Sequence, residues 1–311
     1  MLKQNRLIYH FELAALLFIS LIALNGCSKS DEASSINTLY EQGIINCQKG
    51  RFDEGIKYFD KILELEPHHY FAYLNRGKAY REKTEYESAI ADFNKCIQID
   101  PSNPEAYFEL GGAWGNQGKF EEAISLYTKA IKVDVNFTKA HGARAIMKTM
   151  VGRVDLAIED LNDAIEIDPQ YPMLYIIRGQ ALDLKGDCQA AIVDFEKAMS
   201  FDPDNFNTSG NIAWVLATCP NNDSRNGKKA LELAAQALEL EAGHFNLHAM
   251  AAASAEIGDF RKAIIYQKKA VQELKENIPA NRFEKTYQEK QLKDYLNQLR
   301  SYQNNIPWHV R

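Results

Sequence analysis

Along the chain, apolar and small positions recur at helical spacing, and the whole pattern repeats every 34 residues from Ile36 to about residue 277. Frames open at Ile36, Tyr70, Pro104, Thr138 and Pro172. Position 8 of these frames holds Gly43, Gly77, Gly111, Ala145 and Gly179, and position 20 holds Gly55, Ala89, Ala123, Ala157 and Ala191. Position 24 is Phe59, Phe93, Tyr127, Leu161 and Phe195. Position 17 is Phe52, Tyr86, Phe120, Val154 and Cys188, and position 32 is Pro67, Pro101, Val135, Pro169 and Pro203. These columns predict paired antiparallel helices. Small residues at 8 and 20 let the two backbones approach, a ring at 24 fills the space beside them, and proline at 32 ends the second helix. Asn103-Pro104 adds a helix start, a capping side chain followed by proline at the first helical position.

A sixth unit opens at Phe206 with Ile212, Ala213 and Leu216, and its first helix is expected to end at Cys219-Pro220. An insertion at residues 221–227 precedes the second helix, which carries Ala230, Ala234 and Ala237. The seventh unit runs from His244, with Gly258, Phe260, Ala263 and Ala270. A last helix is predicted from Arg282 to Tyr302, where Leu292, Tyr295, Leu296 and Leu299 form one apolar stripe. Each hairpin leaves an apolar face uncovered, so neighbours must stack and something must cap the end.

Helix A of frame three reads Tyr107, Leu110, Gly111, Trp114, and its helix B reads Ala123, Tyr127, Ala130; frame two reads Tyr73, Gly77, Tyr80, Ala89, Phe93, Cys96, Pro101. This resembles the tetratricopeptide repeat (TPR) family. The resemblance covers residues 36–277 and implies an all-α fold, a right-handed superhelical solenoid of about seven helix-turn-helix units. Residues 278–311 would supply the capping helix and tail. Frame one departs from the pattern, with Asn46 in the aromatic slot and Ile62 in the small one, as suits an end repeat.

The N-terminus reads as an address. Lys3 and Arg6 precede an apolar run from Leu13 to Leu24, shorter than the ~18–20 residues that span a bilayer. It stops at Leu24-Asn25-Gly26-Cys27, which resembles the bacterial lipobox, with Asn25 as a departure from the usual small residue. That resemblance implies a signal peptide over residues 1–26, a lipid on Cys27 and anchoring in a membrane. Residues 27–35 then form a lipidated cysteine and flexible tether, and Ser28–Asn37 is polar with no apolar period. Ser28 directly after the cysteine resembles lipoproteins sorted to the outer membrane facing the periplasm; Lys29, Asp31 and Glu32 resemble the export tags of surface-displayed lipoproteins, the alternative location.

Composition narrows the function. The 36 basic and 42 acidic residues give a net charge of −6 with no basic block, which argues against a nucleic-acid partner. Gly118-Lys119 lacks the glycines and hydroxyl of a phosphate loop; its glycines fall on repeat columns. His244 and His248 lie four apart, a metal-ligand spacing, but no Glu between them and no third ligand supports a site, so a solvated pair at a helix start is expected. His68-His69 reads as surface. No catalytic constellation emerges, and no cofactor is expected. Cys188 and Cys219 fall where one helix B begins and the next helix A ends, so in an oxidising periplasm they are candidates for a disulfide; two buried thiols are the alternative. Cys96 sits in a small core slot.

In the resembling family, helix A positions 2, 5, 9 and 12 line a concave groove. Carried onto this sequence, the groove candidates are Tyr40, Phe71, Leu74, Lys78, Arg81, Phe108, Lys139, Ile146, Ile176 and Trp214, with Gly112, Gly115 and Gly142 leaving room for a guest. The carboxylate clamp of chaperone-binding relatives is absent, since Leu74, Gly142 and Met173 occupy its slots. The expected function is a membrane-tethered, non-catalytic scaffold that binds a protein or peptide, resembling lipoproteins that dock cell-wall hydrolases or assist secretin assembly. The alternative is a periplasmic enzyme or transport accessory with a small-molecule pocket between repeats. Oligomeric state is left open by the sequence.

Overall fold

The computed structural model describes residues 29–203, 206–277 and 282–309; among these are fifteen α-helices and no β-strand. The expected signal peptide and Cys27 lie outside the described residues. Two compact units divide at Ser102 and Asn103. The first holds α1 (Lys29–Gln48), α2 (Phe52–Leu65), α3 (Tyr70–Glu82) and α4 (Tyr86–Ile99). The second holds α5 (Pro104–Asn116), α6 (Phe120–Val133), α7 (Thr138–Met150), α8 (Val154–Ile167), α9 (Pro172–Lys185) and α10 (Cys188–Phe201). It continues with α11 (Phe206–Thr218), α12 (Gly227–Leu240), α13 (His244–Glu256), α14 (Phe260–Glu276) and α15 (Arg282–Gln303). Within each unit, consecutive helices pack as short-turn hairpins, and each hairpin stacks on the next.

From α3 onward every helix A begins at the frame start read from the sequence, and every helix B at position 17 once the five-residue insertion of the sixth repeat is set aside. Asn103 caps α5 as its sequence suggests, accepting from the Glu105 amide at 3.0 Å, with Pro104 following. In every repeat but the sixth, whose insertion replaces it, the turn between A and B takes a left-handed residue at position 15. Gly50, Gly118, Gly152, Gly186 and Gly258 supply it, with φ between 72° and 87°, whereas repeat two uses Thr84 at φ 61°.

The small residue at position 8 is dictated by the ring at position 24. A Cβ on Gly77 would lie 2.7 Å from Phe93 Cε1, and one on Gly111 2.8 Å from Tyr127 Cε1. Where the chain places Ala145 instead, position 24 is the smaller Leu161. Phe59, Phe93 and Leu161 are 0% exposed, so these contacts are the core itself.

A second coupled pair joins positions 7 and 23. Arg76 donates through Nε and Nη2 to Asp92 at 2.8 and 2.7 Å and pairs with Asp60 of the preceding helix B. Arg144 forks onto Asp160 at 2.8 Å and reaches back to Thr128, and Arg178 forks onto Asp194 at 2.7 Å and reaches back to Asn162. In repeat three both members become leucine, Leu110 and Leu126, and both are buried. Ion pair or apolar pair, the two positions change together.

The insertion forms a 3-10 turn over Asn222–Ser224. Arg225 ties it down, donating to Cys219 O at 2.8 Å and pairing with Glu256 at 2.9 Å. The final helix packs on α14 with Tyr295 and Tyr302 buried, and the residues after it fold back so that His309 Nε2 lies 2.9 Å from Glu256.

One expectation is corrected. The spacer expected to be flexible over residues 27–35 is helical from Lys29, because α1 continues seven residues before Ile36. That segment has no Gly or Pro, and extending an existing helix avoids the cost of nucleation.

Candidate functional site

The helix A face of the first unit is built from α1 and α3. The Tyr40 ring lies 6.1 Å from Phe59 and 6.0 Å from His69, and its hydroxyl accepts from Asn75 Nδ2 at 2.9 Å. Burial raises the Tyr40 phenol above its ordinary pKa, against the pull of Lys78 and the Asn75 bond. His69 sets the start of α3, with Nδ1 accepting from the Ala72 amide at 3.0 Å. Phe71 stands 55% exposed. Lys78 and Arg81 are half-buried on the same helix. Leu74 departs from the groove reading: at 5% exposure it packs between helices and offers no open surface.

In the second unit, Phe108 is half-buried, edge-on to Phe137 at 5.4 Å and tilted against Tyr127 at 5.6 Å. Lys139 is exposed, and Ile146 is 39% exposed. Met150, one turn further along α7, and Met173, at the start of α9, are 40% and 41% exposed. Ile176, at 4%, belongs to the core beneath them. Two of the glycines expected to leave room for a guest do not: a Cβ on Gly115 would meet Met147 Sδ at 3.1 Å and one on Gly142 would meet Leu174 at 3.3 Å. The next helix A already fills that space. Close backbone approach, and not ligand volume, is what those glycines serve.

Trp214 stands in a column of rings. It stacks on His248 at 4.6 Å, and His248 stacks on Tyr295 of the final helix at 3.9 Å. His248 is 4% exposed, which overturns the expectation of a solvated histidine pair. Its Nδ1 lies 3.0 Å from Gln267 Oε1, Gln267 Nε2 donates to Tyr295 O at 2.9 Å, and burial pushes the imidazole pKa down to about 3. His244 Nδ1 lies 3.2 Å from the Tyr295 hydroxyl, and burial lowers its pKa as well. Position 5 carried the available clue, since Tyr40, Leu74, Phe108 and Ile176 precede His248 there. The indole of Trp214 also bonds Asp183 of α9, whose carboxyl burial pushes up to about 6 against that bond. At this end the chain fills its own helix A face.

Cys188, at the start of α10, and Cys219, just past α11, are joined by a disulfide with Cα atoms 6.1 Å apart. Both are buried. Cys47 and Cys96 are not disulfide-bonded, and Cys96 Sγ lies 3.6 Å from Tyr70 O.

Two clefts bear on a small-molecule reading. One of about 560 Å³ opens between α8 and α10 over the Arg178–Asp194 pair; the other, about 260 Å³, lies at the start of α13 beside Glu241, His244 and Asn277. Among the described residues no group of three His, Cys, Asp or Glu side chains is arranged to hold a metal, and no helix is long and apolar enough to cross a membrane.

Sequence profiles described as tetratricopeptide repeat match residues 36–69, 104–137 and 174–205, and a profile described as TPR repeat matches 77–118. Two of those matches open on the frame starts Ile36 and Pro104. A comparison with proteins of curated function finds no match. A tetratricopeptide repeat protein from Parabacteroides merdae is similar over 85% of this chain and 100% of its own, at 14% identity and TM-score 0.63. PilF of Pseudomonas aeruginosa is similar over 71% of this chain and 97% of its own, at 18% identity and TM-score 0.56. MamA aligns over 52% of this chain and 94% of its own, at 28% identity and TM-score 0.46. At 14% and 18% identity the likeness to the first two is one of fold.

Proposed function

We propose that this chain of tetratricopeptide repeats is a non-catalytic adaptor that holds a protein or peptide segment on its helix A face while Cys27 anchors it to an envelope membrane. One observation carries the binding reading. Ile146, Met150 and Met173 are each about two-fifths exposed on the helix A elements α7 and α9, where apolar side chains gain nothing from facing water. Ile146 and Met150 lie one turn apart on α7, and a thioether beside a branched aliphatic makes a surface that adapts to an apolar guest. Exposed Lys139 and Gln180 flank it and give polar anchors for a main chain. The anchor rests on the charged start, the short apolar run and the Gly26-Cys27 stop. The outer membrane facing the periplasm is the location that Ser28 favours.

The test is a pull-down from detergent-solubilised envelope with the wild-type chain and with Ile146→Glu plus Met173→Glu. A stoichiometric protein retained by the wild type and lost by the variant is the expected result. No such partner, with a small molecule bound in native mass spectrometry, would overturn the adaptor reading. Cys27→Ser should leave the membrane fraction; unchanged fractionation rejects the anchor.

A further inference from the structure

Position 22 of the frame is an outward point of helix B. In five repeats it is exposed and either polar or no larger than a methyl: Lys57, Ala91, Ser125, Glu159 and Glu232. Two repeats break this pattern with a branched aliphatic. Val193 of α10 is 55% exposed and Ile265 of α14 is 53% exposed. Single exposed apolar side chains are common on protein surfaces, and what sets these two apart is what surrounds each of them.

The surroundings of the two differ in a complementary way. Val193 edges the 560 Å³ cleft, whose other apolar walls are Ile158, Leu182 and Ala190. Its floor is already satisfied, because Arg178 directs its donors to Asp194 and Asn162. An apolar guest is therefore favoured over a polar one. Beside the cleft, α8 exposes Glu159, Asp163 and Glu166 along one face. On α14, Ile265 stands as a knob with Arg261, Lys262, Lys268 and Lys269 exposed around it. The seven-residue step from Lys262 to Lys269 and that from Glu159 to Glu166 each span about 10.5 Å of helix, so the two charge rows are in register.

We propose that these surfaces are the two halves of one contact between copies of this chain. Ile265 of one copy seats in the α8–α10 cleft of the next, and its lysines face the carboxylates of α8. The halves are different patches, so the contact is head-to-tail and leaves one patch free at each end, allowing further copies to add. One apolar knob and a few exposed ion pairs make a weak contact that salt screens. This surface is on helix B and does not depend on the helix A reading.

Sedimentation velocity of the full chain in mild detergent tests it. Wild-type protein should sediment faster as its concentration rises, and less so in high salt. Val193→Glu and Ile265→Glu, both at exposed positions, should each sediment as single copies with unchanged circular dichroism. Mixed in equal amounts they should form a species of two chains and no larger, since each variant keeps the half the other lacks. A wild-type chain that stays single at every concentration overturns the proposal, as does a mixture that forms nothing. A single-copy wild type that retains a different envelope protein, lost on Val193→Glu, assigns the cleft to that partner instead.

Discussion

Replacing Gly77 by Ala isolates the coupling between position 8 and position 24. The added methyl would sit 2.7 Å from Phe93 Cε1 and 3.0 Å from Cδ1, well inside van der Waals contact, and Phe93 is 0% exposed with no free space to enter. Overpacking of this kind costs about 1–3 kcal/mol. The same change gains about 1 kcal/mol of helix propensity, so the net loss for Gly77→Ala is about 0–2 kcal/mol. Phe93→Leu alone opens a void and costs about 1–2 kcal/mol. Combined, the methyl enters the space the ring vacates, the clash vanishes and the propensity gain remains. The double variant should therefore be more stable than the sum of the singles by about 2 kcal/mol. Repeat four already carries that combination as Ala145 with Leu161. Hydrogen exchange of the α3 and α4 amides reads the effect locally, which matters because stacked repeats need not unfold in one step. Additivity within about 0.5 kcal/mol would refute the size-matching argument.

Three further outcomes follow from other sites. Thr84→Gly should stabilise the first unit by about 1 kcal/mol, read as a higher melting temperature, because Thr84 alone holds the position 15 turn at φ 61° without being glycine. Asp183→Asn should stabilise the second unit above pH 6 and have no effect near pH 4. The carboxyl's folded pKa of about 6 exceeds its unfolded value of 3.8, so ionising it in the folded state costs stability progressively as pH rises between those values. A pH-independent difference in urea midpoint would contradict this. Reducing the Cys188–Cys219 bond, which closes a separation of 31 residues, should cost roughly 3–4 kcal/mol on a chain-entropy basis, and Cys188→Ser plus Cys219→Ser should reproduce the loss without reductant.

The architecture was legible because every repeat restates the same demands. Period, helix starts and the insertion could be read from columns, and the structure places helix boundaries on those columns from α3 to α14. The site was less legible, for two physical reasons. Position 5 side chains such as Leu74 and Ile176 lie at the edge between groove and core, and only packing decides their side. Ring stacking of Trp214, His248 and Tyr295 requires the final helix to arrive beside repeat seven, a distance of some fifty residues that no local pattern encodes. The Arg–Asp pairs were readable at a spacing of sixteen residues but stand out only when the polar columns receive the same attention as the apolar ones.

Those pairs have a consequence for assembly order. In a run of similar helices, each helix B has two neighbouring A helices with which it can zip first, and a chain that chose the wrong one throughout would be shifted by half a hairpin. The Arg144–Asp160 pair, 14% and 6% exposed, closes only within its own hairpin. Zipped instead with α6, Arg144 would face Leu126 and leave a buried charge unmatched, at a cost of about 3–5 kcal/mol. Repeat three, with Leu110 and Leu126, rejects an incoming arginine or aspartate for the same reason. The oily seam of repeat three, set between the charged seams of repeats two and four, thus acts as a keyed joint that holds this stretch of near-copies in phase.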